Sequence, residues 1–119
     1  MLPPGHRLRL TRDHRRTVRH GVRGAGRLLV VHVLVPAGPV HDAPPRAGFV
    51  VGRTVGGAVA RNTLRRRLRH LVHGRLDRFP PGSLVVVRAG AEAATASSAT
   101  LGRDLDVALD RALATGARR

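Results

Sequence analysis

The chain contains no cysteine, no tryptophan, no tyrosine and two phenylalanines. The lack of cysteine excludes disulfides and cysteine-ligated zinc sites. An RNA-recognition motif or a single-strand-binding barrel needs aromatic rings on which bases stack, so neither class is expected. No apolar run approaches the 18 residues of a membrane span, and the N-terminus lacks the apolar core of a secretory signal. We therefore expect a soluble, cytoplasmic protein.

Acidic residues are also scarce, with 7 against 22 basic residues and a formal net charge of +15. Every basic residue is arginine, whose planar guanidinium pairs with phosphate through two hydrogen bonds. The positive charge is concentrated in residues 1–24 (+6) and 53–78 (+7), which leaves +2 for the rest of the chain. Such a field favours polyanions, and nucleic acid before a membrane surface, because the basic helices lack the Trp and Phe that anchor interfacial helices.

The length of 119 residues fits one domain, and neither an internal repeat nor a linker divides it. Periodicity and turn residues predict a helix over 11–20, strands over 27–35, 48–52 and 83–89, a helix from Ala58 to about Leu76, and a last helix from Leu101 to about Gly116. The four prolines of residues 36–47 predict a loop. We expect residues 1–10 and 114–119 to be flexible.

The segment "ARNTLRRRLRH" (60–70) carries the densest charge. Wound at about 100° per residue, it places Ala60, Leu64, Leu68 and Leu71 in one arc of about 80°. A neighbouring arc of about 140° holds Arg61, Asn62, Arg65, Arg66 and Arg69, and Arg67 points away from it. A solvated helix face normally mixes charges of both signs, whereas this segment has no acid between Arg53 and Asp77. We therefore predict a phosphate-binding face, with a merely solvated face as the alternative.

The segment "RAGFVVGRTVGGAVARNTLRRRLRH" resembles the signature of the bacterial ribonuclease P protein family, in which a strand and a Gly-rich turn lead into a helix bearing Arg-Asn-x-x-(Arg/Lys)-Arg-x-x-Arg. The similarity extends to "LPPGHRLRLTRDHRRTVRHG" and "PPGSLVVVRAGAEAA" and covers about residues 2–113. The resemblance implies an α+β fold, an α-β-β-β-α-β-α sandwich with a mixed sheet packed by helices and a left-handed βαβ crossover, as in a ribosomal protein.

The resemblance also implies a role as the non-catalytic protein subunit of a ribonucleoprotein endoribonuclease. The catalytic RNA would remove the 5′ leader of precursor tRNA with Mg²⁺ held mainly by the RNA, and no protein partner or protein-bound metal would be required. By resemblance, the residues that bind the catalytic RNA are Arg61, Asn62, Arg65, Arg66 and Arg69. The residues that bind the leader are His14, Val18, Val30, His32, Val50 and Arg53.

Other interpretations compete with this one. A structural RNA-binding protein of the ribosome or its assembly would need the same fold and charge. A protein-only nuclease would need a metal-binding carboxylate cluster, for which Asp104, Asp106 and Asp110 are candidates, although we expect these residues to solvate the last helix. His14 and His32 can stack on bases, or they can be ordinary, partly buried histidines.

Overall fold

A computed structural model describes residues 6–8, 11–35 and 43–117. Its elements follow the chain as α1 (Thr11–His20), β1 (Val22–Ala25), β2 (Leu29–Leu34), β3 (Arg46–Val51), α2 (Ala58–His73), β4 (Leu84–Ala89) and α3 (Ser98–Ala117). The described residues also form short 3₁₀ turns at Arg53–Val55, Leu76–Arg78 and Ala91–Thr95. The α-β-β-β-α-β-α order and the α+β class implied by the resemblance are confirmed.

The four strands form one mixed sheet in the order β1-β2-β4-β3. β2 pairs antiparallel with β1 and with β4, whereas β3 and β4 run parallel and are connected through α2. The hand of this crossover stays a prediction. The residue pattern does not predict β1, because its four residues, VRGA, show no run of β-branched or aromatic side chains.

Alternation along the strands gives the sheet two buried faces. Val31, Val33, Val85 and Val87 lie on the face covered by α2 and α3, in a core that also contains Leu64, Leu68, Leu105 and Leu109. The intervening residues Leu84 and Val86 lie on the opposite face. There Val18 of α1 packs against them, together with Leu8 from the segment before α1. Each fully buried Leu or Val contributes about 1.5–3 kcal/mol, so the apolar strands and the apolar sides of α2 and α3 are the main source of stability.

α2 begins after a pair of glycines and ends before a turn. Gly56 has φ of 144°, a conformation that side chains rarely adopt, and it lets the chain reverse from β3 into the helix. The helix ends at His73, three residues before the predicted Leu76, because the 3₁₀ turn Leu76–Arg78 leads the chain toward Pro80 and Pro81.

α3 is held on the β1–β2 hairpin by polar contacts. The Asp104 carboxylate accepts hydrogen bonds from the backbone N–H groups of Arg27 (2.6 Å), Leu28 (3.0 Å) and Leu29 (2.8 Å). Arg111 donates to the carbonyl of Ala25 at 2.6 Å. Between these contacts, a Cβ atom at Gly24 would overlap the backbone of α3, so glycine permits the close approach of β1.

Other predicted boundaries also differ from the structure. β3 begins at Arg46, so the described part of the proline-rich loop ends at residue 45, and residues 36–42 lie outside the described residues. Residues 6–8, expected to be flexible, run along β3, where the Leu8 N–H donates to the Ala47 carbonyl at 2.8 Å. α3 continues to Ala117, past the predicted start of a flexible tail, and residues 1–5, 9–10 and 118–119 lie outside the description.

Candidate nucleic-acid interface

One side of α2 presents a set of cationic and polar side chains that we call the arginine face. The helix packs on the sheet through Leu64, Leu68 and Val72, which are buried. On the neighbouring side Asn62 and Arg66 are exposed, and three further arginines are half-buried. The arginine face consists of Arg61, Asn62, Arg65, Arg66 and Arg69. The structure therefore places all five residues together, as the helical periodicity predicts.

The arginine face has no carboxylate partner among the described residues. Arg65 donates to Asn62 Oδ1 at 3.2 Å and to the carbonyl of Val51 at 3.4 Å, which ties the middle of the face to the end of β3. Arg61 Nε is buried without a hydrogen-bond acceptor in the described part of the chain. The ion pairs in the described part of the chain all involve two other arginines, Arg75 and Arg78. The charge of the face is therefore left for an external anion.

The carboxylates of α3 are partly exposed, as expected of residues that solvate the helix, and they also make structural contacts. Asp106 accepts from Arg75 Nε at 2.6 Å and from Arg78 at 3.2 Å, and Asp110 accepts from Arg78. The hydrogen bond from Arg75, aided by the positive charges of Arg75 and Arg78, lowers the pKa of Asp106 against the opposing effect of burial. These pairs join the turn after α2 to α3, and Asp104 holds the β1–β2 hairpin.

A second cationic surface lies on the opposite side of the sheet, between α1 and the C-terminal ends of β3 and β4. This open cavity of about 590 Å³, here called the cleft, is lined by His14, Arg15, Val18, Arg19, Val50 and Arg88. It brings together three of the predicted leader-binding residues, His14, Val18 and Val50. Arg88 was not among the predicted leader-binding residues, although it lies two residues after Val86 and therefore on the same face of β4.

His14 connects the cleft to the arginine face. Its Nε2 lies 3.0 Å from the carbonyl oxygen of Leu8, and its ring lies over Gly48, where a Cβ atom would overlap it. A further cavity of about 330 Å³ continues around the edge of β3 from His14 to Phe49 and Arg69. The two cationic surfaces are therefore continuous along the edge of the sheet.

Comparison with known proteins agrees with this arrangement of charge and fold. The family model described as "Ribonuclease P" matches residues 2–113. The chain belongs to the ribonuclease P protein family. Among curated members, it is 54% identical to the ribonuclease P protein component of Streptomyces bikiniensis, covering 99% of this chain and 100% of that protein. It is 49% identical to the protein component of Acidothermus cellulolyticus, with coverage of 93% and 91%.

Solved ribonuclease P proteins share the fold. The Staphylococcus aureus protein superimposes with a TM-score of 0.75 at 23% identity, covering 88% of this chain and 93% of that one. The Thermotoga maritima protein, solved in complex with 1-(4-fluorophenyl)-2-thiourea, gives a TM-score of 0.71 at 27% identity, with coverage of 83% and 92%. The α+β architecture of the ribonuclease P protein family is thus present over most of this chain.

In this member of the ribonuclease P protein family, the other three predicted leader-binding residues do not line the cleft. His32 is 4% exposed, and both of its ring nitrogens are buried without a hydrogen-bond partner among the residues that the structure describes. Burial, followed by the charges of Arg88 and Arg23, lowers the pKa of His32, so the ring is held neutral below the surface and offers no face to a base. Val30 is half-buried on the same face of the sheet, and Arg53 is exposed in the turn after β3.

Proposed function

We propose that this chain is the RNA-binding protein subunit of bacterial ribonuclease P, binding the catalytic RNA through the arginine face and the 5′ leader of precursor tRNA in the cleft. One observation carries the proposal: an arginine face without carboxylate partners among the described residues continues around the edge of β3 into a second cationic surface. The proposal includes a cytoplasmic location, with neither a membrane nor another protein needed for binding.

The arginine face is suited to the backbone of a folded RNA. Arg61, Arg65 and Arg69 follow one another at i,i+4, where like charges repel by about 0.2–0.5 kcal/mol per pair. Each guanidinium that meets a phosphate forms charge-assisted hydrogen bonds and releases condensed counterions. Repulsion within the free helix is thereby outweighed on RNA, and the binding depends strongly on salt.

The cleft is suited to a single strand. Arg15, Arg19 and Arg88 supply cations at its rim, and Val18 and Val50 supply aliphatic surface between them. No Phe, Tyr or Trp side chain lines the cleft in the described structure, so stacking of bases on rings is limited to the imidazole of His14. We expect the leader to be held mainly through its phosphates, with His14 as a polar contact at the junction toward the arginine face.

The chemistry of leader removal belongs in this proposal to the catalytic RNA. Mg²⁺ bound mainly by that RNA would supply activation of the attacking water and stabilisation of the leaving oxygen. The carboxylates that suggested a protein-only nuclease hold the fold together: Asp106 and Asp110 bind arginines, and Asp104 binds backbone N–H groups. This chain therefore contributes binding and positioning.

The test is cleavage of precursor tRNA at low Mg²⁺ by the protein alone, by the catalytic RNA alone, and by both together. We expect strong cleavage with the pair and little with either component. Cleavage by the protein alone would establish a protein-only nuclease. No effect of the protein in any mixture would favour the alternative of a structural RNA-binding protein of the ribosome, which family membership does not support.

The leader cleft is tested separately from the arginine face. Val50→Glu places a carboxylate between the cleft arginines at an exposed position, so it should weaken binding of precursor tRNA with a leader and leave binding of mature tRNA unchanged. The control is Val107→Glu, at another exposed valine, which lies on α3. It should change the binding of neither RNA. Equal effects of Val50→Glu on both RNAs would place the leader elsewhere.

A further inference from the structure

A third cationic surface borders the arginine face at Arg66 and lies outside the cleft. Where α2 meets the first turn of α3, a groove of about 300 Å³ is lined by Arg66, Arg67, His70, Leu71 and Ser98. No carboxylate of the described residues lines this groove, and the first turn of α3 contains no acidic residue. The groove therefore combines positive rims with the half-buried aliphatic side chain of Leu71.

Arg67 distinguishes this groove from the arginine face. The helical wheel places Arg67 apart from the other arginines, and the structure shows it exposed beside Arg66 and His70. Within the described residues its guanidinium makes one hydrogen bond, a 3.4 Å contact to the carbonyl of Ala96, at the long limit for such a bond. Its remaining N–H donors are directed to no described acceptor, so an external anion can bind them.

We propose that this groove binds a phosphodiester segment of the catalytic RNA, extending the RNA footprint from the arginine face across α2 to the first turn of α3. The inference rests on the proposed function. Arg66 belongs to both surfaces, so one RNA element can contact the two without a gap. The leader is not the favoured occupant, because the cleft lies on the other face of the sheet.

Arg67→Ala tests the groove, and Arg111→Ala is a matched control. Both arginines are exposed and donate to a backbone carbonyl, but Arg111 lies roughly 20 Å along α3 from Ser98. Affinity for the catalytic RNA is measured between 50 and 200 mM salt, with thermal unfolding to confirm folding. One lost phosphate contact makes the slope of log K against log salt shallower by about one unit. The affinity of the variant then falls about threefold less than that of the wild type between the two salt concentrations.

We expect the slope of log K against log salt to become shallower by about one unit for Arg67→Ala. The slope should stay near the wild-type value for Arg67→Lys, which keeps the charge, and for Arg111→Ala. Equal slopes for Arg67→Ala and Arg111→Ala would overturn the proposal that the groove binds RNA. RNA binding by the arginine face would still be supported if Arg69→Ala lowers the slope. An Arg67→Ala effect confined to precursor tRNA would also overturn the proposal for the groove. Failure of the wild-type protein to bind the catalytic RNA would instead contradict the proposed function.

Discussion

Replacing Arg69 by alanine distinguishes the repulsion that the arginine face causes in the free protein from its contribution to RNA binding. Arg69 has like charges at Arg65 (i−4) and Arg66 (i−3) and no ion pair among the described residues. Removing two repulsive pairs of about 0.2–0.5 kcal/mol each should stabilise the free protein by about 0.4–1 kcal/mol at low salt. For a domain of this size, that corresponds to a rise in Tm of about 2–5 °C. The same variant should bind the catalytic RNA more weakly, with a salt slope lower by about one unit.

The assay is thermal unfolding of wild type and Arg69→Ala at about 20 mM and about 1 M salt. At 1 M the Debye length is about 3 Å, so repulsion across the helix surface is screened and the gain in Tm should disappear. The difference between the two salt concentrations isolates the charge from any packing lost with the aliphatic part of the side chain.

Arg75→Ala is the control of opposite sign. Arg75 donates to both carboxylate oxygens of Asp106 and, at 2.9 Å, to the carbonyl of Leu71, so its loss should destabilise the protein by about 1–3 kcal/mol. A decrease in Tm for Arg69→Ala that is equal at low and high salt would refute the reasoning, because it would mean that contacts within the protein hold the side chain.

Two further predictions concern buried polar groups. His32→Leu should raise the free energy of unfolding by about 1–2 kcal/mol, because it removes two unpartnered ring nitrogens. The fold lowers the pKa of His32 from 6.5, so the wild type should lose stability as pH falls below 6.5 toward the folded-state pKa, and the variant should lose less. Urea unfolding at pH 7.5 and 5.5 checks this, and equal losses would contradict it. Asp104→Asn should cost about 1–3 kcal/mol in the same assay, because one amide oxygen replaces two carboxylate oxygens that accept three backbone N–H groups. Asp13→Asn, a half-buried acid of α1, serves as its control and should cost less; equal costs would mean that the hairpin contacts contribute nothing.

The elements with strong periodicity could be predicted from the sequence. α1 has the predicted bounds, and the apolar stripe and arginine face of α2 are the two sides of one helical pattern. β1 could not be predicted from its own four residues. It forms a strand because it pairs with β2 and packs closely against α3, and both contacts involve residues outside this segment.

The cleft was predictable only in part. His14 and Val18 lie one helical turn apart and reach it together, whereas Arg88 comes from a strand distant in sequence. His32 was expected in the cleft by resemblance to the family, but which residues of a sheet face are covered depends on where α1 crosses the sheet. A strand pattern assigns a side chain to a face and leaves its exposure undetermined.

The sequence by itself determined the segregation of charge, the class of partner and the side of α2 that carries the arginines, because each follows from composition or from the period of one helix. Tertiary structure alone decided which arginines are neutralised, since the carboxylates that bind Arg75 and Arg78 come from α3, about 30 residues further along the chain. It also placed Arg67 in a groove with Ser98 and buried His32. The physical reason is that ion pairing and burial depend on contacts between elements, and local periodicity does not specify those contacts.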